Sequence, residues 1–183
     1  MVDHPPAKKL CREEHNIYEN AWDCLCQPTP HALFELARQG TGLPALDPAL
    51  KAFVQRYPDK SSGLGSIATR VLQAITTEKR STAHIVGEAM AINDSNIGFT
   101  GDSILFDTLC SLAPLSLEKP LVEIWGDSKE MRNTKARITT FGQACLSGEA
   151  NRIKTNGIDE HIAGVHLSSD SGRIWYREDE FLA

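Results

Sequence analysis

Between Gly63 and Gly148 the apolar positions recur first at helical and then at strand spacing. Ile67, Val71, Leu72 and Ile75 share one face of a helix over 66–75, and Ile85, Val86, Ala89 and Met90 do the same over 82–91. A third helix opens at Gly101-Asp102, with Asp102 as N-cap, and turns Leu105, Leu109 and Leu112 inward. Leu121-Val122-Glu123-Ile124-Trp125 then alternates like a half-buried strand, a ten-residue polar stretch follows, and Ala136-Arg137-Ile138-Thr139 returns as a second strand. Thr140 caps a last short helix carrying Phe141, Ala144, Cys145 and Leu146, which Gly148 stops; Gly142 is a close-packing position.

Three helices, a hairpin with a polar tip and a closing helical turn are the order of a winged helix, so the predicted class is α+β with a winged-helix domain over 63–148. Residues 1–16 are polar, carry no apolar period and predict a flexible terminus. Ile17, Ala21, Trp22 and Leu25 then fall at helical spacing until Pro28 and Pro30 end the run. Thr29-Pro30 predicts an N-cap and first helical residue for a helix over 31–39, with Gly40 as its stop. Asp47-Pro48 repeats that signature for a helix through Leu50, Phe53, Val54 and Tyr57, ended by Pro58. Residues 17–58 therefore read as a helical support, joined through the short linker 59–63 and packed on the winged helix. Beyond Gly148, residues 151–158 carry no decisive pattern. Gly164-Val165-His166-Leu167 and Arg173-Ile174-Trp175-Tyr176 read as two strands joined by the turn-rich 168–172, a short C-terminal β-hairpin within an extension over 149–183.

At 183 residues the chain is one domain with an extension or two small domains. Hydrophobic residues at 41% and charged residues at 23% predict a folded globule. No apolar run approaches the ~20 residues of a membrane helix, and the first residues lack the apolar core of a signal peptide, so the expected compartment is cytoplasmic, with no membrane partner. Five cysteines, an odd count outside any small secreted scaffold, agree with a reducing environment. The net charge of −5 repels DNA weakly and leaves nucleic-acid binding to a local basic patch.

The third predicted helix offers Asp102, Ser103, Asp107, Thr108 and Ser111 as its polar positions, with no Lys, Arg, Asn or Gln to read base edges. The hairpin tip is the basic counterpart: Lys129, Arg132, Lys135 and Arg137 against Asp127 and Glu130 leave two net positive charges over 127–137. If two to four of these cations touched phosphates, log K would fall against log salt with a slope of about −2 to −4, which is weak binding. Cys11, His15, Cys24, Cys26 and His31 lie within 21 residues, but Cys24-x-Cys26 has one residue between ligands where zinc knuckles use two to four, so no metal is expected. Asp159, Glu160, His161 and His166 could supply an acid, a base or a ligand, yet no nucleophile elbow, phosphate loop or zinc helix motif accompanies them. Their structural alternative is a turn before a strand, with Asp159 capping local amides and His166 pairing within the sheet.

Leu43-Pro44-Ala45-Leu46 with the helix to Tyr57-Pro58, Gly98-Phe99-Thr100-Gly101-Asp102, the segment Ile138 to Gly148, Asn156-Gly157-Ile158-Asp159 through Gly164-Val165-His166-Leu167, and Trp175 together carry a resemblance. Over 20–177 the chain resembles the C-terminal winged-helix part of an uncharacterised bacterial family of unknown function, whose longer members carry an additional N-terminal domain. The positions that match its motifs include Gly101, Asp102, Asn156, Gly157, Asp159, Gly164 and His166. Two positions depart from it: His161 stands where the family usually shows Trp, and Ala163 where it usually shows Gly. The resemblance implies a fold and a bacterial setting, with no activity.

The expectation is a non-enzymatic binding module, without cofactor, that contacts a protein partner in a bacterial regulatory setting. The alternatives are a weak DNA-binding regulator using Lys129, Arg132, Lys135 and Arg137, and an enzyme or metal protein using Asp159, His161 and His166. Trp22, Phe34 and Phe53 are expected in the core, with a homodimer interface as their other use.

Overall fold

A computed structural model of the protein describes residues 9–92, 100–114, 116–127, 130–172 and 174–177. They form an α+β structure of eight α-helices and two small antiparallel sheets. Three helices come first: α1 (Arg12–Cys26), α2 (His31–Gln39) and α3 (Leu46–Val54). The segment α4 (Ser66–Ala74), β1 (Arg80–Ser81), α5 (Thr82–Ala91), α6 (Asp102–Ser111), β2 (Val122–Trp125), β3 (Lys135–Ile138) and α7 (Thr140–Leu146) follows. Last come α8 (Arg152–Asn156), β4 (Asp159–Ile162) and β5 (Val165–Ser168).

The apolar side chains sort into two cores. One is built within 64–145, from Val71, Leu72, Ile85, Leu105, Leu109, Leu121, Val122 and Cys145 among others. The other joins Ala21, Leu33, Leu50, Val54 and Tyr57 of the first three helices and the turn after them to Ile153, Ile158, Val165 and Leu167. The first and last groups of described elements thus share one core, and β4 and β5 bury their apolar side chains against the first three helices rather than in the 64–145 core.

Local hydrogen bonding explains where several elements begin. Helix α1 starts earlier than its apolar period suggests, because Cys11 closes a capping box with Glu14: the Glu14 N–H donates to Cys11 Sγ (3.4 Å) and the Cys11 N–H to the Glu14 carboxylate (2.9 Å). Residues 12–16 are therefore helical rather than frayed, and residues 1–8 lie outside the described ones. Trp22, expected inside, is 66% exposed, and Ala21 is the buried residue of that helix. Pro30, not Thr29, stands at the N-cap of α2, without a side-chain cap. Asp47 does not cap α3, which opens at Leu46. Its carboxylate turns back to accept from the Thr41 hydroxyl and N–H (both 2.6 Å) and from the Gly42 N–H (3.1 Å), closing the α2–α3 connection. The 59–63 stretch is a bonded turn: the Asp59 carboxylate accepts from the Ser61 and Ser62 N–H groups (2.8 and 2.9 Å), and the Ser66 N–H donates to Gln55 O (2.8 Å).

Inside 63–148 the helices and the hairpin stand where the apolar pattern puts them, with one strand added. Strand β1 joins the hairpin edge, giving the order β1-β3-β2 with Arg80 opposite Ala136 and Glu123 opposite Arg137. On β3, Ala136 and Ile138 are buried while Lys135 and Arg137 are exposed. Asp102 is the first helical residue of α6 rather than its cap, a position Gly101 takes. The cap of α7 is Thr139, one residue before the expected Thr140, and it accepts from the Gly142 N–H at 2.9 Å. A Cβ on Gly142 would lie 2.2 Å from Leu121 O, which is why that site is glycine.

The C-terminal hairpin is displaced from its expected place. Its strands are β4 and β5, joined by the two-residue loop Ala163-Gly164, and residues 174–177 are not a strand. Ser168 is the last residue of β5, and the polar turn over 169–172 follows the hairpin instead of forming its tip.

Candidate functional site

Four places collect the candidate residues, the first being the outer face of α6. Leu105, Phe106 and Leu109 are buried, which leaves Asp102, Ser103, Ile104, Asp107 and Ser111 exposed. Thr108 donates its hydroxyl to Ile104 O and Ser111 to Thr108 O (both 2.8 Å), so both hydroxyl protons are spent on their own helix. The face presents two carboxylates, no cation and an Ile104 that is 47% exposed. Gly101 has an ordinary extended φ of −68° and open space where a Cβ would stand, so nothing in its surroundings demands glycine.

The second place is the outer face of the three-stranded sheet. Lys129 lies outside the described residues. Arg137 is engaged across the strands, its Nε 2.7 Å from the Glu123 carboxylate and its guanidinium 5.5 Å from the centre of the Trp125 ring. Lys79 comes to 4.1 Å from the same ring. Arg132, in the 3-10 turn Met131–Asn133, and Lys135 are exposed and have no ion-pair partner among the described residues. Sequence reasoning missed Lys79, because its closeness to Trp125 spans two elements distant in the chain.

The third place is the hairpin cluster, where the structure brings Asp159, His161 and His166 together. His161 and His166 are directly opposed on β4 and β5, their rings stacked with centres 4.3 Å apart, and His166 Nε2 lies 2.6 Å from Asp159 Oδ1. Asp159 is 84% exposed, and no group of three or more His, Cys, Asp or Glu side chains among the described residues is arranged to hold a metal ion. The N-terminal Cys and His residues do not converge either: Cys11 and Cys26 are exposed at opposite ends of α1. The neighbouring motif positions have structural duties. Asn156 acts as a backbone mimic, accepting from the Lys119 N–H and donating to Lys119 O, both at 2.9 Å. Gly157, at φ 72°, ends α8. Gly164 approaches α1 so closely that a Cβ would stand 2.5 Å from Cys26 O.

The fourth place is a pair of clefts on either side of Arg152, which sequence reasoning did not find. Asn151 fixes the start of α8 by donating to Lys60 O (3.0 Å) and accepting from the Ile153 and Lys154 N–H groups, and the Arg152 N–H donates to Ser62 O at 2.8 Å. The Arg152 side chain, 12% exposed, pairs with Glu160 and forms a ridge shared by both clefts. One cleft, about 450 Å³, carries Asp159, Glu160 and Asp170 against Arg152. The other, about 340 Å³, carries Arg56 and Arg152 against Glu160, with His161 at its wall. The two faces of one ridge thus differ in the sign of their charge.

No described helix is long and apolar enough to cross a membrane. The chain matches no protein-family model and no curated protein sequence.

Proposed function

We infer that residues 63–148 are a winged helix that serves as a non-enzymatic protein-binding module, with α6 as its contact helix. The helix-strand-helix-helix-strand-strand order and the β1-β3-β2 sheet support the winged-helix reading. The resemblance to a bacterial family of unknown function adds a bacterial setting and no activity, and the regulatory role is part of this proposal. The observation that carries the binding reading is the outer face of α6, with Asp102, Ile104 and Asp107 exposed and no cation among them. A helix laid in a DNA groove needs Arg, Lys, Asn or Gln at its outer positions, and carboxylates there face phosphates of like charge. The same face suits a protein surface that offers Lys or Arg around a recess for Ile104.

Site-specific photocrosslinking in the cells of origin tests this. A photoreactive residue at Ser103 is expected to yield a discrete protein adduct that Ile104→Asp abolishes, while the same residue at exposed Lys51 on α3 yields none. Absence of an adduct at Ser103, together with submicromolar binding of duplex DNA at physiological salt, would refute the reading.

A second reading, weak backbone binding of DNA by the hairpin, is favoured by Arg132 and Lys135, which are exposed and have no ion-pair partner among the described residues. Because Arg137 already pairs with Glu123, the double change Lys135→Ala and Arg137→Ala should lower the salt slope by about 1 rather than about 2. Fluorescence anisotropy at about 50 and 200 mM salt measures that slope, and an unchanged value removes this reading.

A further inference from the structure

We propose that the 340 Å³ cleft between Arg56 and Arg152 binds a small organic anion, a ring-bearing monocarboxylate, with its ring on Phe53, Ile67 and Ile162 and its carboxylate on Arg56. Arg56 is the observation that starts the argument. It is half-buried, its guanidinium lies 4.9 Å from the centre of the Phe53 ring, and it has no carboxylate partner among the described residues. Arginine that leaves water ordinarily gains an anionic partner, because desolvation of an unmatched charge is costly. Among the described residues Arg56 has the aromatic face and no anion.

The second arginine is held in the same cleft from the other side of the fold. Arg152 is set on α8 by its own N–H bond to Ser62 O and by the bond of the neighbouring Asn151 amide to Lys60 O, and its guanidinium pairs with Glu160. Arg56 and Arg152 against Glu160 leave one net positive charge on the lining, which matches a monoanion. The sister cleft, with three carboxylates against the same arginine, repels an anion and limits it to the Arg56 side. Phe53, Ile67 and Ile162 supply apolar walls that a bare inorganic ion would not use, and they select for a carbon body. A volume of 340 Å³ equals roughly eleven waters at ~30 Å³ each, room for about ten non-hydrogen atoms.

Isothermal titration calorimetry of the full chain with benzoate, and with benzamide and benzylamine as its neutral and cationic counterparts, tests the proposal. Benzoate is expected to saturate a single site, with benzamide and benzylamine bound at least tenfold more weakly. Arg56→Gln should weaken benzoate at least tenfold, and Glu160→Gln, which releases Arg152, should tighten it. That opposite pair of shifts is not what loss of structure would produce, since both substitutions remove a charge from the same wall. No saturation by about 10 mM benzoate, equal affinity for benzamide, or unchanged affinity in Arg56→Gln overturns the proposal. Should Arg56→Gln fail to fold, unchanged or weaker binding by Glu160→Gln overturns it instead. Ile104→Asp, which tests the α6 contact, is expected to leave benzoate affinity as it was, so the two proposals fail separately.

Discussion

Replacing Ala163 with glycine is expected to stabilise the protein, and replacing its neighbour Gly164 with alanine to destabilise it. The two residues are the whole loop between β4 and β5. Ala163 sits at φ 51°, the only non-glycine among the described residues with positive φ. An L-residue there costs about 1–2 kcal/mol through its Cβ. Glycine removes that strain and returns about 0.4–1 kcal/mol as the greater entropy of the unfolded chain. The net gain is roughly 0.5–1 kcal/mol, or a Tm about 1–4 °C higher for a chain of this size. Gly164 has the opposite constraint. A Cβ would stand 2.5 Å from Cys26 O, 2.6 Å from Cys26 C and 2.7 Å from Gln27 O, all backbone atoms that no rotamer can move. Alanine must lift the loop from the end of α1, which breaks the 3.0 Å bond from the Gly164 N–H to Leu25 O and loosens the buried Val165 and Leu167. We expect a loss of about 2–4 kcal/mol and a fall in Tm of at least about 4 °C. Thermal unfolding followed by far-UV circular dichroism reads both. A lower Tm in Ala163→Gly, or an unchanged one in Gly164→Ala, would refute the assignment of strain and close approach to this loop.

Asn156→Asp keeps the acceptor for the Lys119 N–H but sets a carboxylate against Lys119 O, so it should cost about 1–3 kcal/mol in urea unfolding, more than a surface substitution does. Asp59 gives a pH signature. Burial pushes its carboxyl up, and the hydrogen bonds from Ser61 and Ser62 together outweigh that, leaving the pKa below the usual carboxylate value. Its contribution is complete above the unfolded pKa of about 3.9 and is lost as pH falls through the lower folded value. Acid unfolding of Asp59→Asn should therefore show a smaller loss of stability below roughly pH 4 than the wild type, and parallel curves would count against the bonded turn.

How much of this was legible in the sequence depends on whether a side chain or a distant backbone decides each feature. The α4, α5 and α6 periods could be read because Val71, Leu72, Ile85, Leu105 and Leu109 repeat at helical spacing and each is buried in one core. Strand β1 could not be read: two half-buried residues, Arg80 and Ser81, are a strand because β3 offers them backbone partners. The C-terminal hairpin was misplaced for a related reason. Turn-forming residues crowd 168–172, whereas the observed loop, Ala163-Gly164, is stabilised by a bond to α1 and carries a residue poorly suited to positive φ. On β4, Asp159, Glu160 and His161 are all exposed, so no alternation marks it as a strand. The cluster Asp159, His161 and His166 was visible as a set of chemistry-bearing residues, and the structure does join them, but as a stacked, exposed cross-strand pair with one carboxylate.

The Arg152 clefts lie at the far end of that scale. Arg56 lies in the turn after α3 and Arg152 opens α8, and their meeting depends on three contacts between segments. Gly65 lacks a Cβ where one would stand 2.2 Å from Arg56 O, Asn151 reaches Lys60 O, and the Arg152 N–H reaches Ser62 O. Each is a contact onto the backbone of another segment, which local periodicity does not encode. The 59–63 turn that reads as a linker is therefore what brings the two arginines to one wall, and its Asp59 carboxylate holds the turn through Ser61 and Ser62. Asp59→Asn, which weakens the turn without altering a residue of the cleft, should accordingly weaken benzoate binding by a few-fold because the two arginines are less firmly held on one wall. Unchanged affinity in that variant would mean that the two arginines are positioned by the helices alone.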